Sequence, residues 1–165
     1  GAHIFSIELD ETNSEIARAL LTFAGVEDRV TLLRGPSTQV IRTLYSDPNA
    51  TKMDLVFLDH HKDLYLVDAQ LLCEVGGIAN GSVVFADNVI RPGCPDYLEW
   101  ARSYFARSVF IEAELEFTKD GTKWNKQHFK TTAVADGVEI SYCDSQRKTK
   151  SSGTEPVGKG NRDGK

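Results

Sequence analysis

The sequence predicts an α/β fold, in which a mostly parallel sheet ends in an antiparallel hairpin. Apolar runs of strand length alternate with amphipathic segments of helix length through the first hundred residues, an order typical of strand–helix–strand units. The run at 53–59 is almost uninterrupted, as expected of a strand covered on both faces. Strand-like segments that follow one another after residue 109 predict the hairpin.

The parallel part has four predicted strands, at 3–9, 30–33, 53–59 and 83–86. The first helix is expected to begin at a capping box formed by Thr12-Asn13-Ser14-Glu15 and to stop at Gly25. Apolar residues at helical spacing mark the helices that follow: Val40, Ile41 and Leu44; Leu66, Ala69, Leu72 and Cys73; and a segment from about Asp96 to Tyr104.

The hairpin region is predicted to hold strands at 109–117, 131–134 and 138–142, with a turn at Asp136-Gly137. Beyond Asp144 the chain has six basic and two acidic residues and few apolar ones, so we expect a disordered basic tail. The prediction is therefore one domain at 1–144 followed by a tail at 145–165.

Composition excludes several classes of function. The net charge of −5 argues against a general nucleic-acid binder. No apolar run reaches the roughly 20 residues that span a bilayer, and no signal peptide is recognised. Cys73, Cys94 and Cys143 are odd in number and lack metal-ligand spacing. We therefore expect a cytoplasmic protein with free thiols and no membrane contact.

Oxygen-bearing side chains follow two of the predicted strands. Asp59 ends one strand, and Asp87 and Asn88 end the next. Parallel sheets bind ligands beyond the carboxyl ends of their strands, and such hard oxygen donors suit Mg²⁺. Each aspartate alone could equally be a helix cap or turn residue. Lys62 is either a surface charge or, if a nearby cation favours its neutral form, a general base.

Three other residues near strand ends suggest ligands less specifically. Glu8 could bind the hydroxyls of a ribose, or could be an ordinary surface acid. His60 and His61 invite a zinc interpretation, but adjacent residues at a strand end point to different sides and no third ligand follows at zinc spacing.

The segments 57–63 (Phe-Leu-Asp-His-His-Lys-Asp) and 86–96 (Ala-Asp-Asn-Val-Ile-Arg-Pro-Gly-Cys-Pro-Asp) resemble catechol O-methyltransferases. So do Ile7-Glu8 and the segment 23–32. The resemblance is close from about Ala2 to Tyr97, roughly three-fifths of the chain, and looser afterwards. It implies a Rossmann-like methyltransferase sheet and a magnesium-dependent transfer of a methyl group from S-adenosylmethionine to one hydroxyl of a catechol.

The resemblance also implies roles for single residues. Glu8 would bind the ribose hydroxyls, and Ser37 would lie near the adenine. Asp59, which would also lie near the methionine part of the cofactor, would bind Mg²⁺ together with Asp87 and Asn88. Lys62 would deprotonate the attacking hydroxyl, and Asn88 would contact the substrate.

The chain departs from the family pattern at several positions. His61 stands where relatives have tryptophan, and Thr38 where they have glutamine. The carboxylate that grips the second catechol hydroxyl falls on Glu116 when the sequences are aligned from the left. Aligned from the hairpin, its position is occupied by Lys130, and both alternatives stay open.

The resemblance further implies that the first strand of the family's sheet, with its glycine-rich cofactor loop, is missing from this chain. Its place would be between the strands 3–9 and 53–59, whose edges would then be unpaired. We expect a monomer when the protein is full length. The alternatives are an inactive fragment or pseudoenzyme that acts as a binding module, and a nucleotide-dependent oxidoreductase that uses Glu8 but leaves Asp59 and Asp87 unexplained.

Overall fold

The computed structural model describes residues 1–114 and 135–144. Its strands are β1 (Ile4–Glu8), β2 (Val30–Arg34), β3 (Leu55–Leu58), β4 (Val83–Ala86), β5 (Arg107–Glu114) and β6 (Ala135–Tyr142). Its α-helices are α1 (Glu11–Ala24), α2 (Ser37–Leu44), α3 (Tyr65–Glu74) and α4 (Pro95–Tyr104). Short helical turns lie at Glu27–Arg29, Lys62–Leu64 and Val89–Gly93.

The described strands form two sheets. β1 and β2 pair in parallel, while the second sheet has the order β3-β4-β6-β5. In that sheet β3 and β4 are parallel, and β6 is antiparallel to both β4 and β5. The predicted α/β architecture with an antiparallel end is confirmed.

Apolar side chains are exposed on β1 and β3, two parallel strands that each have one unpaired edge among the described residues. Among the described residues, no strand pairs with the second edge of β1 or of β3. Ile4 and Phe5 of β1 are 55% and 40% exposed, and Leu55 and Phe57 of β3 are 58% and 60% exposed. The unpaired edges therefore lie at the two strands where the sequence predicts them.

The hydrophobic core lies between the second sheet and the helices α3 and α4. Its completely buried members include Tyr65 and Ala69 of α3, Val84 of β4 and Ala101 of α4. Because α3 directly follows β3 and α4 follows β4, this packing fixes the two strand ends that carry the candidate site.

No helix in the described ranges is both long and apolar enough to cross a membrane.

The predicted capping box at the start of α1 is wrong. Asp10 is the N-cap, and its carboxylate accepts a hydrogen bond from the backbone N–H of Asn13 at 2.8 Å. This bond satisfies one of the free N–H groups of the first turn, so Thr12 lies inside the helix. The predicted stop is confirmed, since Gly25 caps the helix with φ of 66°.

The predicted turn at Asp136-Gly137 is also wrong, because both residues lie inside β6. Gly137 pairs with Glu112 of β5. A Cβ atom at Gly137 would lie 2.3 Å from the ring of Phe110 and 2.6 Å from the main-chain oxygen of Ile111. The glycine is therefore required by close packing between two strands. The predicted segments 131–134 and 145–165, and residues 115–117, lie outside the described residues.

Candidate active site

The parallel pairing of β3 with β4 brings the predicted magnesium ligands to one edge of the sheet. Leu58 pairs with Ala86, and the backbone N–H of Asp87 donates to the main-chain oxygen of Leu58 at 2.9 Å. Asp59 and Asp87 therefore leave neighbouring strands side by side. Asn88 follows directly.

Lys62 lies between the two strand ends. Its side chain is only 11% exposed. Its Nζ atom is 3.5 Å from Oδ1 of Asp59 and 3.1 Å from the main-chain oxygen of Asp87. The same atom contacts the hydroxyl of Tyr65 and lies 4.4 Å from the centre of that ring. The structure thus brings Lys62 together with both predicted strand-end aspartates.

Tyr65 is a site residue that the sequence pattern does not reveal. It is completely buried at the start of α3. Its hydroxyl lies 2.7 Å from the main-chain oxygen of Leu58 and 3.0 Å from that of Asp87. Burial, reinforced by the negative charge of Asp59, raises the pKa of Tyr65 well above its ordinary value. The phenol therefore stays protonated, and it connects the two strand ends beneath Lys62.

Asn88 is held by a carboxylate from a distant strand. It has left-handed backbone angles, φ of 52° and ψ of 42°, a conformation that asparagine tolerates better than most residues. Its Nδ2 donates to Oδ2 of Asp136 at 2.9 Å. The backbone N–H groups of Ile90 and Arg91 both donate to Oδ1 of the same carboxylate at 3.1 Å.

The environment keeps Asp136 ionised. Its side chain is buried, with 3% of the residue exposed. Burial raises the pKa of Asp136, but the hydrogen bond from Asn88 and those from backbone N–H groups outweigh it, so that the pKa is below its ordinary value. Its predicted place in a turn gives no indication of a role in the site.

His60 and His61 have separate surroundings. Nε2 of His60 lies 3.0 Å from Oδ2 of Asp68, whose side chain is 2% exposed. The hydroxyl of Thr38 donates to the other oxygen of Asp68 at 2.7 Å. Asp68 therefore joins the loop after β3 to the first turn of α2. His61 is largely exposed and lies 3.6 Å from Asp63.

The pKa of Asp68 is lowered in this arrangement. Burial acts to raise it, but the hydrogen bonds from His60, Ser37 and Thr38 prevail. Thr38 is one of the positions at which the chain departs from the family pattern, and its hydroxyl is one of these three donors.

Glu8 and Ser37 lie at the carboxyl ends of β1 and β2. Glu8 is the last residue of β1, and its main-chain oxygen accepts a hydrogen bond from the N–H of Gly35 at 3.0 Å. Ser37 is the first residue of α2, two positions after Gly35. A cleft of about 360 Å³ opens beside this loop, between the end of β2 and α2. Both candidate residues thus lie at the carboxyl ends of the first two strands, the edge at which parallel α/β sheets usually bind ligands.

The donor chemistry at the ends of β3 and β4 fits magnesium. Asp59, Asp87 and Asn88 offer two carboxylates and one amide oxygen, the hard ligands that Mg²⁺ prefers. Within residues 1–114 and 135–144, no group of three or more His, Cys, Asp or Glu side chains is arranged to hold a metal ion. The proposed set contains two side chains of these types, Asp59 and Asp87. Its third oxygen donor is the side-chain amide of Asn88. Glu116 and Lys130 lie outside the described residues.

Residues 1–138 match the O-methyltransferase family. The chain belongs to this family. Catechol O-methyltransferase B of Danio rerio is 41% identical over 120 residues, which cover 72% of this chain and 46% of that protein. Catechol O-methyltransferase of Sus scrofa is 46% identical over 101 residues, which cover 61% of this chain and 54% of that protein. The chain thus spans about half the length of these relatives, and the resemblance predicted from its motifs is confirmed.

Solved structures support the fold independently of the sequence. The O-methyltransferase TomG from Streptomyces achromogenes, in complex with S-adenosylmethionine, has a TM-score of 0.65 at 19% identity. The match covers 86% of this chain and 62% of that one. The predicted Rossmann-like methyltransferase sheet is therefore confirmed.

Proposed function

We propose that the protein is a magnesium-dependent O-methyltransferase that transfers a methyl group from S-adenosylmethionine to one hydroxyl of a catechol. One observation carries the proposal. In a chain of the O-methyltransferase family, Asp59, Asp87 and Asn88 leave adjacent parallel strands, and Nζ of Lys62 lies between the two aspartates. The catechol is proposed because the curated relatives include catechol O-methyltransferases.

The cofactor would lie across the carboxyl ends of β1, β2 and β3. Glu8 would accept hydrogen bonds from its ribose hydroxyls, as an acidic residue does in many nucleotide-binding α/β folds. Ser37 would lie near the adenine, and Asp59 near the methionine part. The bond between Gly35 and Glu8 supports this arrangement, because it holds the loop before Ser37 against the end of β1.

Asp59, Asp87 and Asn88 would hold Mg²⁺. When bound, S-adenosylmethionine supplies an electrophilic methyl group on its sulfonium sulfur, and Mg²⁺ stabilises negative charge on a catechol oxygen. Asn88 would also contact the substrate.

Lys62 would be the general base. Its neutral amine would accept the proton of the attacking hydroxyl at Nζ as the oxygen–methyl bond forms and the sulfur–methyl bond breaks. The products are the monomethyl ether of the catechol and S-adenosylhomocysteine. The contacts of Nζ with Tyr65 and Asp87 support this role, because they fix the position of the base before substrate binds. The low exposure of Lys62 keeps bulk water away from it.

A calorimetric titration of this chain with S-adenosylmethionine tests the cofactor site. We expect saturable binding that Glu8→Ala weakens, while Glu15→Ala, an exposed glutamate of α1 outside the site, leaves it unchanged. Equal affinity in the parent chain and Glu8→Ala would contradict the ribose assignment. Cofactor binding without methyl transfer to any catechol would favour the alternative, a non-catalytic binding module. A cytoplasmic location and a monomeric state stay predictions of the same proposal.

A further inference from the structure

Asp136 has contacts that neither its strand nor the core explains. It lies in β6, opposite Ala113 of β5, yet its two oxygen atoms accept three hydrogen bonds from the segment that follows β4. One of these comes from a proposed magnesium ligand. The donors and the acceptor are separated by 45 to 48 residues.

The chemistry of this contact determines which way the amide of Asn88 faces. Nδ2 of Asn88 lies 2.9 Å from Oδ2 of Asp136, and the backbone N–H groups of Ile90 and Arg91 donate to the other oxygen. An amide nitrogen can only donate a hydrogen bond, and a carboxylate oxygen accepts it. The NH₂ group of Asn88 must therefore point toward Asp136. Its Oδ1 atom, the only side-chain atom of Asn88 that can bind a cation, is then turned away from this carboxylate.

The same carboxylate also fixes the backbone next to the ligand. The N–H groups of Ile90 and Arg91, two and three residues after the left-handed residue Asn88, converge on Oδ1 of Asp136. The carboxylate thus constrains both the side chain of Asn88 and the chain direction that follows it.

We propose that Asp136 is a positioning residue for magnesium binding, an inference that rests on the proposed function. It orients Asn88 so that the amide oxygen, and not the amide nitrogen, is offered to Mg²⁺. Groups that hold the ligands of a metal typically change its affinity about 10- to 100-fold when they are mutated.

Asp136→Asn is the direct test, and Glu139→Gln is its matched control. Glu139 lies on the same strand, is 1% exposed, and pairs with Arg102 of α4 through two hydrogen bonds of 2.9 Å and 2.8 Å. Two measurements are made on this chain, namely hydrogen exchange of the Ile90 and Arg91 N–H groups by NMR, and calorimetric titration with Mg²⁺ alone.

In Asp136→Asn, we expect both N–H groups to exchange faster and the affinity for Mg²⁺ to fall about 10- to 100-fold. Glu139→Gln should change neither quantity. Unchanged exchange in Asp136→Asn would overturn the inference. Unchanged Mg²⁺ affinity in Asp136→Asn would also overturn it, if the separate variant Asn88→Ala weakens binding. If Asn88→Ala and Asp87→Ala also bind Mg²⁺ normally, the proposed ligand set itself is wrong and the inference falls with it.

A measurement on the unmodified chain covers the case in which Asp136→Asn does not fold. The two side-chain N–H protons of Asn88 should differ in exchange, with the one directed at Asp136 strongly protected. Exchange of both protons at the rate of a free asparagine side chain would overturn the inference.

Discussion

The main-chain oxygen of Asp87 lies 3.1 Å from Nζ of Lys62, so a side chain that follows β3 is held at the end of β4. The contact is possible because the two strands are parallel neighbours. It places the proposed base between Asp59 and Asp87, which are proposed to bind the metal.

Lys62→Ala should lower the turnover number for catechol methylation by about 10²- to 10⁴-fold, the usual contribution of a positioned general base. The affinity for S-adenosylmethionine should change little, since Lys62 is not among the proposed cofactor contacts. Steady-state kinetics and calorimetry measure the two quantities. Lys52→Ala is the control, because Lys52 pairs with Asp54 before β3. An unchanged turnover number would make Lys62 a charge without a catalytic role.

Tyr65→Phe should lower the stability of the protein and remove a contact that positions Lys62. The substitution keeps the buried ring but removes the hydroxyl that contacts Nζ and two main-chain oxygens. Loss of a buried hydrogen-bonding partner should lower the free energy of unfolding by about 1–3 kcal/mol. Denaturation with urea measures this change. Tyr45→Phe, whose hydroxyl contacts the oxygen of Thr51 away from the site, is the control.

A double substitution separates positioning from stability. If Tyr65 acts by placing the amine, Tyr65→Phe should slow methylation in the parent protein but have little further effect once Lys62→Ala has removed the amine. Equal fold losses in the two backgrounds would show that the effect of Tyr65 on turnover is independent of Lys62.

Asp68 should make stability depend on pH in the acid range. Because its folded-state pKa is lowered, its contribution is complete above the unfolded-state value, about 3.9, and is lost as pH falls through the folded-state value. Asp68→Asn should therefore lower the free energy of unfolding at pH 7 by about 1–3 kcal/mol. The difference in the free energy of unfolding between the parent protein and Asp68→Asn, the gap, should shrink below about pH 4.

Urea denaturation across this pH range measures the gap. Because His60 contacts Asp68, the same series in His60→Asn shows how much of the effect depends on that contact. Asp63→Asn is the control, since Asp63 is 89% exposed at its side chain and should change stability by less than about 0.5 kcal/mol. A gap that stays constant as the pH falls would contradict the role of Asp68.

The sequence predicts most of the fold because its signals are local. Apolar runs mark β3 and β4, and the residues that follow them, Asp59 and Asp87, could be placed at one sheet edge from the parallel order alone. Gly25 ends α1 where the pattern predicts, because a left-handed cap is a property of one residue and its neighbours.

The side chains that support the site could not be predicted in this way. Tyr65 looks like the first residue of a helix. Its contact with Asp87, which is 22 residues further along the chain, depends on the pairing of β3 with β4. Thr38 and Asp68 are 30 residues apart. Asp136-Gly137 has the composition of a turn, and only the pairing of β5 with β6 shows that the glycine is needed for packing. Tertiary contacts decide each of these cases.

The rate of methyl transfer from S-adenosylmethionine to a catechol, measured with Mg²⁺ and again with EDTA, tests whether the reaction depends on a metal held by Asp87. Asp87→Ala is assayed beside the parent protein, and Asp96→Ala, an exposed aspartate of α4, serves as its control. We predict transfer that requires Mg²⁺, stops in EDTA and is lost in Asp87→Ala but not in Asp96→Ala. Transfer that persists in EDTA, or survives Asp87→Ala, would contradict it.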